Sequence, residues 1–570
     1  MFLLNWLPVI CFVIVLGILT PPLGYFLARI FQGRWTILHP LLGWLEVLSY
    51  RLSGINPEEE MTSKQYIKAM LWFTLYGFIF IFFIQVFQSI LPFNPQHFPD
   101  VPLALAFNTA ISFVTNTNWQ AYAGETTLSY ASQMWGLTVQ NFLSPAIGCA
   151  TLMALIRGIT GRSTKFVGNF GVDIVRSIIY IFLPFCFVFS LILVGQGVVQ
   201  TLSPYVEVET LEGTKQTIPL GPVASQIAIK QLGTNGGGFF NTNSAHPFEN
   251  PTAFSNFLET LALVLIPSSL VYAYGIMARS KRHAGLLLGV MFIMWGSGLV
   301  ISSYSEHHVN DVLDANPVFE GKETRLGMMN SLLWATATTS TSNGSVNTMH
   351  SSLSPLAGGV TMFNIMLGEL VFGGVGVGLS SMLMFVLLTV FLAGLMVGRT
   401  PEYMGKKIEK RDIQWVILAI LAPSILILIG SGISSVLPAA LSSLSAKGPH
   451  GLSELLYAFT SSAGNNGSSF AGINANTDYY NISLGVVMLL ARMAILIPSL
   501  ALAGLLGNKK VIPRSLGTLS TNTVLFGALL ISVILIVGAL TFFPALSLGP
   551  IIEHLLMLKG ESFPFAGASA

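Results

Sequence analysis

Long, nearly charge-free apolar stretches alternate with short polar segments along this chain. A helix needs about 20 residues, at a rise of about 1.5 Å each, to cross the hydrocarbon core of a bilayer. Ten stretches meet that length, and Arg492 interrupts the ninth. They cover residues 2–28, 69–99, 126–156, 177–206, 260–278, 284–305, 370–398, 413–446, 481–507 and 521–546. The pattern predicts an all-α polytopic membrane protein with about ten transmembrane helices.

The composition excludes several other classes of protein. Charged residues make up 9% of the 570 residues, whereas a soluble domain carries about 25%. Hydrophobic residues make up 52%, and the mean hydropathy is +0.70. The net charge of +2 leaves no surplus of Lys and Arg to neutralise phosphates, so we expect no nucleic-acid partner. The partner of so apolar a surface is the phospholipid bilayer.

The basic residues predict how the helices are oriented, because cytoplasmic loops are enriched in Lys and Arg. Of the 27 basic residues, 20 fall in five segments: 29–68, 157–176, 279–282, 399–411 and 509–514. These segments alternate correctly when both termini face the outside of the cell. Six of the other basic residues, including Lys230, then lie on the outer side.

Four of the outer segments are too apolar for solvated loops and too short to span a membrane. Each begins with about a dozen residues of helical character and ends in a small, polar stretch rich in Gly or Asn. The helical parts are 104–114, 223–232, 326–338 and 452–462, and the polar parts are 115–118, 233–238, 341–345 and 463–468.

These four segments recur at a regular interval. If Thr117, Asn235, Asn343 and Asn466 are equivalent, their spacings are 118, 108 and 123 residues. One span precedes and one follows each segment, always from the same side, which indicates a parallel fourfold repeat. The predicted units are a first helix with its cytoplasmic loop, four pore repeats, and a last helix with an outer C-terminus. They cover residues 1–65, 66–165, 166–283, 284–412, 413–512 and 513–570.

The polar ends of the segments favour cation binding. Irregular backbone at membrane depth persists only where it lines a cavity filled with water or ions. Gly and Asn adopt the left-handed backbone that lets successive carbonyls point the same way, and Thr and Ser add neutral oxygen. Four such stretches around one axis would replace the hydration shell of a cation with rings of carbonyl oxygen. The alternative is that they are ordinary re-entrant caps with conformationally loose turns.

Four longer strings resemble a known family. They are SFVTNTNWQAYAGETTLSY at 112–130, QLGTNGGGFFNTNSAHPFENPT at 231–252, GELVFGGVGVGL at 368–379 and GRTPEYMGKKIE at 398–409. They resemble the KdpA family, the potassium-binding subunits of bacterial Kdp potassium-transporting ATPases. The similarity covers essentially the whole chain and implies the superfamily of K⁺ transporters, which are built from four helix–pore–helix repeats.

The resemblance implies a K⁺ filter made of three residues in each segment. These are Thr115, Asn116, Thr117, Thr234, Asn235, Gly236, Ser342, Asn343, Gly344, Asn465, Asn466 and Gly467. Gln120, Gly233 and Gly237 are expected to support the filter. The third segment is the most degenerate of the four, and none contains the TVGYG string of K⁺ channels.

The resemblance also implies an ATP-driven K⁺ uptake complex in the bacterial inner membrane. Its other members would be a P-type ATPase catalytic subunit and two small accessory membrane subunits. This chain contains neither a DKTG string nor a G-x-x-x-x-G-K-[ST] loop, so we expect no nucleotide site and a non-catalytic role.

Two other functions remain open. On the same scaffold, a K⁺ or Na⁺ channel-like transporter of the Trk/Ktr type would work with a cytosolic regulatory partner. Copurification of a P-type ATPase separates that function from the uptake complex. An integral-membrane enzyme would need a cluster of His, Asp or Glu near the membrane face, and the sequence offers none.

Charged residues inside spans are costly and mark functional positions by default. Arg492 follows the fourth segment, where it would either repel K⁺ from a straight passage or pair for structure. Glu369 opens the seventh span, either as part of the pathway or as a paired interfacial residue.

A glycine cluster follows Glu369 in the seventh span. Four glycines in six residues disfavour regular helix and indicate either close helix packing or a broken helix. The resemblance favours the second, a loop that gates passage beneath the filter. The cluster consists of Gly373, Gly374, Gly376 and Gly378.

Overall fold

The computed structural model describes residues 2–308, 312, 318–368, 370–513 and 519–561. Ten helices in this part of the chain are long and apolar enough to cross a membrane. They cover Trp6–Phe31, Ser63–Val86, Ser132–Thr160, Phe170–Gly195, Ala253–Met277, Lys281–Glu306, Val377–Met396, Lys410–Ser434, Asp478–Gly507 and Val524–Met557. The predicted fold class, an all-α multi-pass membrane protein with about ten spans, is confirmed.

Helices make up nearly all of the regular structure. In chain order they are α1 (Phe2–Phe31), α2 (His39–Ser53), α3 (Ser63–Val86), α4 (Leu103–Val114), α5 (Gly124–Thr127), α6 (Val139–Thr160), α7 (Phe170–Arg176), α8 (Leu183–Gly195), α9 (Val223–Leu232), α10 (Ala253–Met277), α11 (Lys281–Glu306), α12 (Met328–Ser340), α13 (Pro355–Met366), α14 (Val377–Met396), α15 (Lys410–Ser434), α16 (Pro438–Leu441), α17 (Gly448–Ala463), α18 (Asp478–Gly507), α19 (Val524–Leu546) and α20 (Ile552–Met557). Three π-helical stretches lie within spans, at Ser132–Thr138, Ser177–Phe182 and Ser547–Ile551. Two antiparallel hairpins pair β1 (Val206–Glu209) with β2 (Lys215–Ile218) and β3 (Glu402–Tyr403) with β4 (Lys406–Lys407).

Each repeat places a short helix between two spans, as the regular interval predicts. The four short helices α4, α9, α12 and α17 are largely buried. Helix α9 coincides with the predicted stretch, whereas α12 begins two residues late, at Met328, and α17 begins four residues early, at Gly448. Helix α1 packs along α10, and α19 packs against α11 and α14, so the two extra helices flank the repeats.

The second span of repeat 3 is broken at the glycine cluster, so its helix begins seven residues later than the predicted stretch, which starts at residue 370. Helix α13 ends at Met366, and α14 begins only at Val377. Between them, Gly368, Gly373 and Gly376 have φ of 82°, 66° and 82°. A right-handed helix cannot include such residues, so the glycines interrupt the span where their clustering disfavours helix.

The predicted loop at 29–68 contains a helix, α2, that the apolar pattern does not reveal. Glu46 anchors it, with one carboxylate oxygen 3.0 Å from Arg176 Nε and the other accepting from the Tyr180 hydroxyl at 2.5 Å. The Tyr50 hydroxyl also donates to Glu46, at 2.7 Å. Burial by itself would raise the pKa of Glu46, but these hydrogen bonds and the guanidinium charge lower it. The helix therefore depends on contacts made across the fold.

The hairpin β3–β4 joins span ends on the side of the bundle opposite the four short helices, here called the inner side. Lys406 lies at its centre and is fully buried. Its Nζ donates to the carbonyls of Gly158 and Leu506, both at 2.7 Å. These carbonyls belong to the last turns of α6 and α18, where backbone oxygens lack helical partners. The lysine thus caps one span from repeat 1 and one from repeat 4.

Tyr403 extends the same tie to repeats 2 and 3. Its hydroxyl lies 2.5 Å from the Tyr274 hydroxyl near the end of α10, and 2.9 Å from His283 Nε2 at the start of α11. The amide of Ile512, just beyond α18, donates to the Gly405 carbonyl at 2.7 Å. The hairpin therefore touches the inner end of a span from every repeat.

Replacing Lys406 with Met should lower the free energy of unfolding by about 2 kcal/mol, because the Gly158 carbonyl loses its donor and the Leu506 carbonyl keeps only backbone donors such as the Lys509 amide. Lys407→Met is the matched control, since the neighbouring side chain is exposed. Unfolding of both variants in detergent, by heat or by denaturant, measures the difference. Equal midpoints for the two variants would mean that the tie contributes nothing to stability.

Candidate functional site

The four short helices end in the same backbone motif. Just past each helix cap, one residue is left-handed: φ is 63° at Asn116, 49° at Thr234, 51° at Ser342 and 47° at Asn465. The next amide then donates to the carbonyl five residues earlier, at 2.9, 2.9, 3.1 and 2.8 Å, which is the Schellman arrangement. The pairs are Thr117 with Ser112, Asn235 with Lys230, Asn343 with Thr338, and Asn466 with Ser461. The four positions aligned by sequence spacing thus have the same backbone geometry.

A second left-handed residue lies two positions after the first in each segment. Gly236, Gly344 and Gly467 have φ of 97°, 79° and 97°, and Asn118 takes the equivalent place in the first segment with a φ of 55°. Alternating left-handed and ordinary backbone lets successive carbonyls point to one side. The predicted set therefore starts one residue early in the first segment, at Thr115, and omits Asn118. The repeat spacing already indicates this alignment, because it makes Thr117 equivalent to Asn235, Asn343 and Asn466, each of which precedes a glycine.

The segments meet in chain order around a ring. In three of them, the glycine lies so close to a carbonyl of the next segment that an added methyl group would overlap the oxygen. The methyl-to-oxygen distances would be 1.5 Å for Gly236 with Asn343, 1.8 Å for Gly344 with Asn466, and 2.1 Å for Gly467 with Thr117. Segment 2 therefore abuts segment 3, segment 3 abuts segment 4, and segment 4 abuts segment 1.

Side-chain amides close the ring between segments 1 and 2. Asn116 Nδ2 donates to the Thr234 carbonyl at 2.8 Å, and Asn118 Nδ2 donates to the Gly236 carbonyl at 3.3 Å. Ser144 of α6 donates through Oγ to Asn116 Oδ1 at 2.8 Å, which fixes the orientation of that amide. The first two segments are thus joined through side chains, because the first has asparagine where the others have glycine.

Gln120 makes a two-point contact with the second segment. Its Nε2 donates to the Gly238 carbonyl at 3.0 Å, and its Oε1 accepts from the Gly238 amide at 2.8 Å. A methyl group on Gly237 would lie 2.5 Å from Gln120 Oε1, and one on Gly233 would lie 2.2 Å from Asn235 Oδ1. The residues expected to support the filter lie in its wall, and their supporting role stays a prediction.

The third segment has the same geometry despite its degenerate sequence. Trp334 Nε1 and Thr338 Oγ1 both donate to the Ser345 carbonyl at 2.8 Å. The Ser345 amide donates in turn to Asn343 Oδ1 at 2.9 Å. Side chains of α12 therefore hold this segment in the geometry that the four segments share.

The loop of the broken span lies against the bases of segments 2 and 3. The Val375 amide donates to Thr234 Oγ1 at 2.9 Å. The Gly373 amide donates to the Ser340 carbonyl, at the end of α12, at 3.1 Å. The loop is thus fastened to two of the four segments by backbone donors alone.

The glycine cluster also packs closely against a neighbouring span. A methyl group on Gly376 would lie 2.2 Å from the Gly148 carbonyl of α6. The Gly374 carbonyl accepts from the Gly378 amide at 2.9 Å, which starts α14. Both interpretations of the cluster therefore hold, because the helix is broken and its backbone packs tightly.

Arg492 lies buried in α18, one helical turn beyond Met488. The Met488 carbonyl accepts from Asn465 Nδ2 at 3.1 Å, so Arg492 lies just inward of the fourth segment. Glu369 lies outside the described residues. The pathway roles of both residues stay predictions.

The wall of the ring consists of neutral groups whose oxygen atoms can coordinate a cation. Among the described residues, no group of three or more His, Cys, Asp or Glu side chains could hold a metal ion. Carbonyl, amide and hydroxyl oxygens are the groups that replace the hydration shell of a monovalent cation. The arrangement can therefore coordinate a cation without carrying a formal charge of its own.

One charged pair behind the ring has no counterpart in the predicted site. From the sequence, Lys230 is placed among the six basic residues of the outer side. In the structure, its side chain is completely buried against Glu249. The signal was a single lysine in an otherwise uncharged short helix. Its partner lies 19 residues away, beyond the reach of any local pattern.

The architecture of four pore repeats also occurs in a solved structure. The potassium transporter TrkH from Vibrio parahaemolyticus matches 84% of this chain and 97% of its own, with a TM-score of 0.53 and 13% identity. The chain therefore has the same class of fold as this solved structure.

Sequence similarity narrows this class to one family. The model of the KdpA family, described as potassium-transporting ATPase A subunit, matches residues 10–555, and the chain belongs to this family. Proteins called potassium-transporting ATPase potassium-binding subunit are 52% identical in Rhodospirillum centenum, 51% in Pseudomonas entomophila and 51% in Leptospira interrogans. The matches cover 98, 97 and 98% of this chain and 98, 99 and 100% of those proteins.

Gly344→Ala should disrupt the ring, because the new methyl group would overlap the Asn466 carbonyl and force a left-handed alanine. We expect a loss of about 2 kcal/mol or more in the free energy of unfolding. Gly285→Ala on α11 is the control, since nothing lies within 4 Å of its added methyl group. Thermal unfolding of the two variants checks this, and equal midpoints would contradict the close contact.

Proposed function

We propose that this chain binds extracellular K⁺ and translocates it as the non-catalytic subunit of an ATP-driven uptake complex. The observation that carries the proposal is the ring of four segments with one repeated backbone conformation. Family membership supports K⁺ as the transported ion and ATP as the energy source. Relatives that are 51–52% identical in sequence are called potassium-transporting ATPase potassium-binding subunits.

Selection rests on backbone oxygen. Carbonyls freed by the two left-handed residues of each segment replace the hydration shell of K⁺. The four short helices point their C-terminal ends at the ring, which adds partial negative charge where the cation binds. The proposed ligands are the twelve predicted residues, with Asn118 in place of Thr115 in the first segment.

The loop between α13 and α14 is the proposed gate beneath the filter. Its contacts with Thr234 and Ser340 support this role, because a loop fastened to two filter segments responds to changes in either. Arg492 adds a fixed positive charge inward of the fourth segment. We infer that this charge repels K⁺ from a straight path across the membrane and diverts it sideways. Glu369 is assigned to the same pathway from the sequence.

Hydrolysis of ATP belongs to another polypeptide in this proposal. The complex comprises this chain, a P-type ATPase catalytic subunit and two small accessory membrane subunits, in the inner membrane of a bacterium. Both termini lie on the outer side, as the Lys and Arg distribution favours. The relatives' names support the ATPase partner, and the TrkH-like fold keeps a regulated channel-like transporter as the second candidate.

The decisive experiment purifies the complex from its host membrane and measures K⁺-stimulated ATPase activity with Gly236→Asp beside the wild type. The substitution places an anion and a side chain where the Asn343 carbonyl leaves room for neither. We expect the K⁺ concentration for half-maximal activity to rise at least tenfold, with weaker discrimination against other alkali ions.

Gly213→Asp is the matched control, because this glycine also has positive φ but lies in the exposed turn between β1 and β2. It should leave K⁺ stimulation unchanged. Unaltered affinity and selectivity in Gly236→Asp would refute the filter. Absence of a copurifying P-type ATPase would instead favour the Trk/Ktr-type transporter.

A further inference from the structure

A buried ion pair lies directly behind the second filter segment. Lys230 belongs to α9, five residues before Asn235, and its side chain is completely buried. Its Nζ lies 2.5 Å from Glu249 Oε2, and the Glu249 side chain is completely buried as well. A buried ammonium group, paired with a carboxylate, therefore lies directly behind a ring whose wall consists of neutral oxygen groups.

The other three repeats have small neutral side chains at this place. The equivalent residues are those whose carbonyls accept the filter amide, and they are Ser112, Thr338 and Ser461. The described parts of α4 and α12 carry no charged residue, and the one in α17, Glu454, lies in its first half. The lysine is thus a departure from the fourfold pattern rather than part of it.

The pair holds the chain as it leaves the filter. Glu249 Oε1 accepts from the Phe240 amide at 2.8 Å. A methyl group on Gly238 would lie 2.9 Å from the same oxygen, so the carboxylate also lies against the backbone of that glycine. The two carboxylate oxygens therefore connect α9, through Lys230, to the segment of chain that follows Gly236.

The same turn of α9 also contacts the third segment. The Lys230 carbonyl accepts from Asn343 Nδ2 at 2.9 Å. The adjacent Gln231 accepts through Oε1 from Ser345 Oγ at 3.0 Å and donates through Nε2 to Glu259 Oε2 at 2.8 Å. The charged pair and its neighbours therefore contact segments 2 and 3 and the span α10.

Stability alone does not explain the pair. Removing two charges from water costs several kcal/mol per ion, and well-packed apolar residues often replace a buried pair without loss. An unpaired charge near an ion site has a direct effect instead. A unit charge about 10 Å from a bound cation changes its affinity about tenfold when the effective dielectric constant is about 20.

We propose that Glu249 maintains the K⁺ affinity of the filter by neutralising Lys230, whose buried charge would otherwise repel the bound ion. The inference rests on the proposed function, because it assigns the electrostatics of that same filter.

The test measures K⁺-stimulated ATPase activity of the whole complex in three variants. Glu249→Gln keeps an acceptor for the Phe240 amide but removes the carboxylate that contacts Lys230, so the KM for K⁺ should rise by up to about tenfold. Lys230→Met removes the repelling charge, so its KM should not rise. The double variant, neutral at both positions, should return the KM to within about twofold of the wild type.

A pair that served only structure would behave differently. Its double variant would be at least as impaired as Glu249→Gln, and Lys230→Met would raise the KM too; either result overturns the proposal. The control is the Lys322–Glu306 pair, which is also buried on the outer side at 3.0 Å. Glu306→Gln should lower thermal stability and leave the KM unchanged, and an equal rise there would also overturn the proposal.

The outcome can be separated from that of the proposed function. If Gly236→Asp alters K⁺ affinity but Glu249→Gln does not, the filter stands and only the role of the pair fails. If neither variant alters it, the filter assignment fails and the inference about the pair fails with it.

Discussion

A backbone amide or carbonyl inside a bilayer needs a hydrogen-bonding partner, and this requirement shapes the whole chain. The ten spans meet it internally. The four short helices stop at membrane depth, so each returns an amide to its own last turn, as Asn235 does to Lys230. The polar stretches that follow meet in a ring, where the Thr234 and Gly236 carbonyls accept from asparagine side chains of the first segment. Glycines, amides and hydroxyls around the ring keep four separate stretches of chain in that one conformation.

The spans around the ring are held by close backbone contact rather than by apolar burial, because lipid tails are as apolar as the helices. A methyl group on Gly158 of α6 would lie 2.4 Å from Ala503 Cα of α18, and one on Gly24 of α1 would lie 2.7 Å from the Ser269 carbonyl of α10. Contacts this close leave little freedom to shift. The loop between α13 and α14 packs as closely, since a methyl group on Gly376 would lie 2.2 Å from a carbonyl of α6, although the loop interrupts the helix of this span.

Much of this architecture is encoded locally and could be predicted. Apolar length gives the ten spans, and the interval between Thr117, Asn235, Asn343 and Asn466 gives residues whose amides make the same bond. Helix α2 could not be predicted in this way, because Glu46 meets Arg176 only after folding. The burial of Lys230 could not be predicted in this way either, since it depends on Glu249. Hydropathy predicts which segments cross the membrane. Which charged side chains become buried depends on partners that are distant in the sequence.

The hairpin β3–β4 joins residues that the ribosome delivers at widely separated times. Gly158 precedes Lys406 by 248 residues, and Leu506 follows it by 100. The inner ends of the four repeats therefore cannot be fastened together until almost the entire chain has been synthesised. The ring needs the same wait, because the third and first segments both contact the fourth, at Asn466 and Gly467. The tie of the inner ends and the closure of the ring therefore both depend on the last repeat.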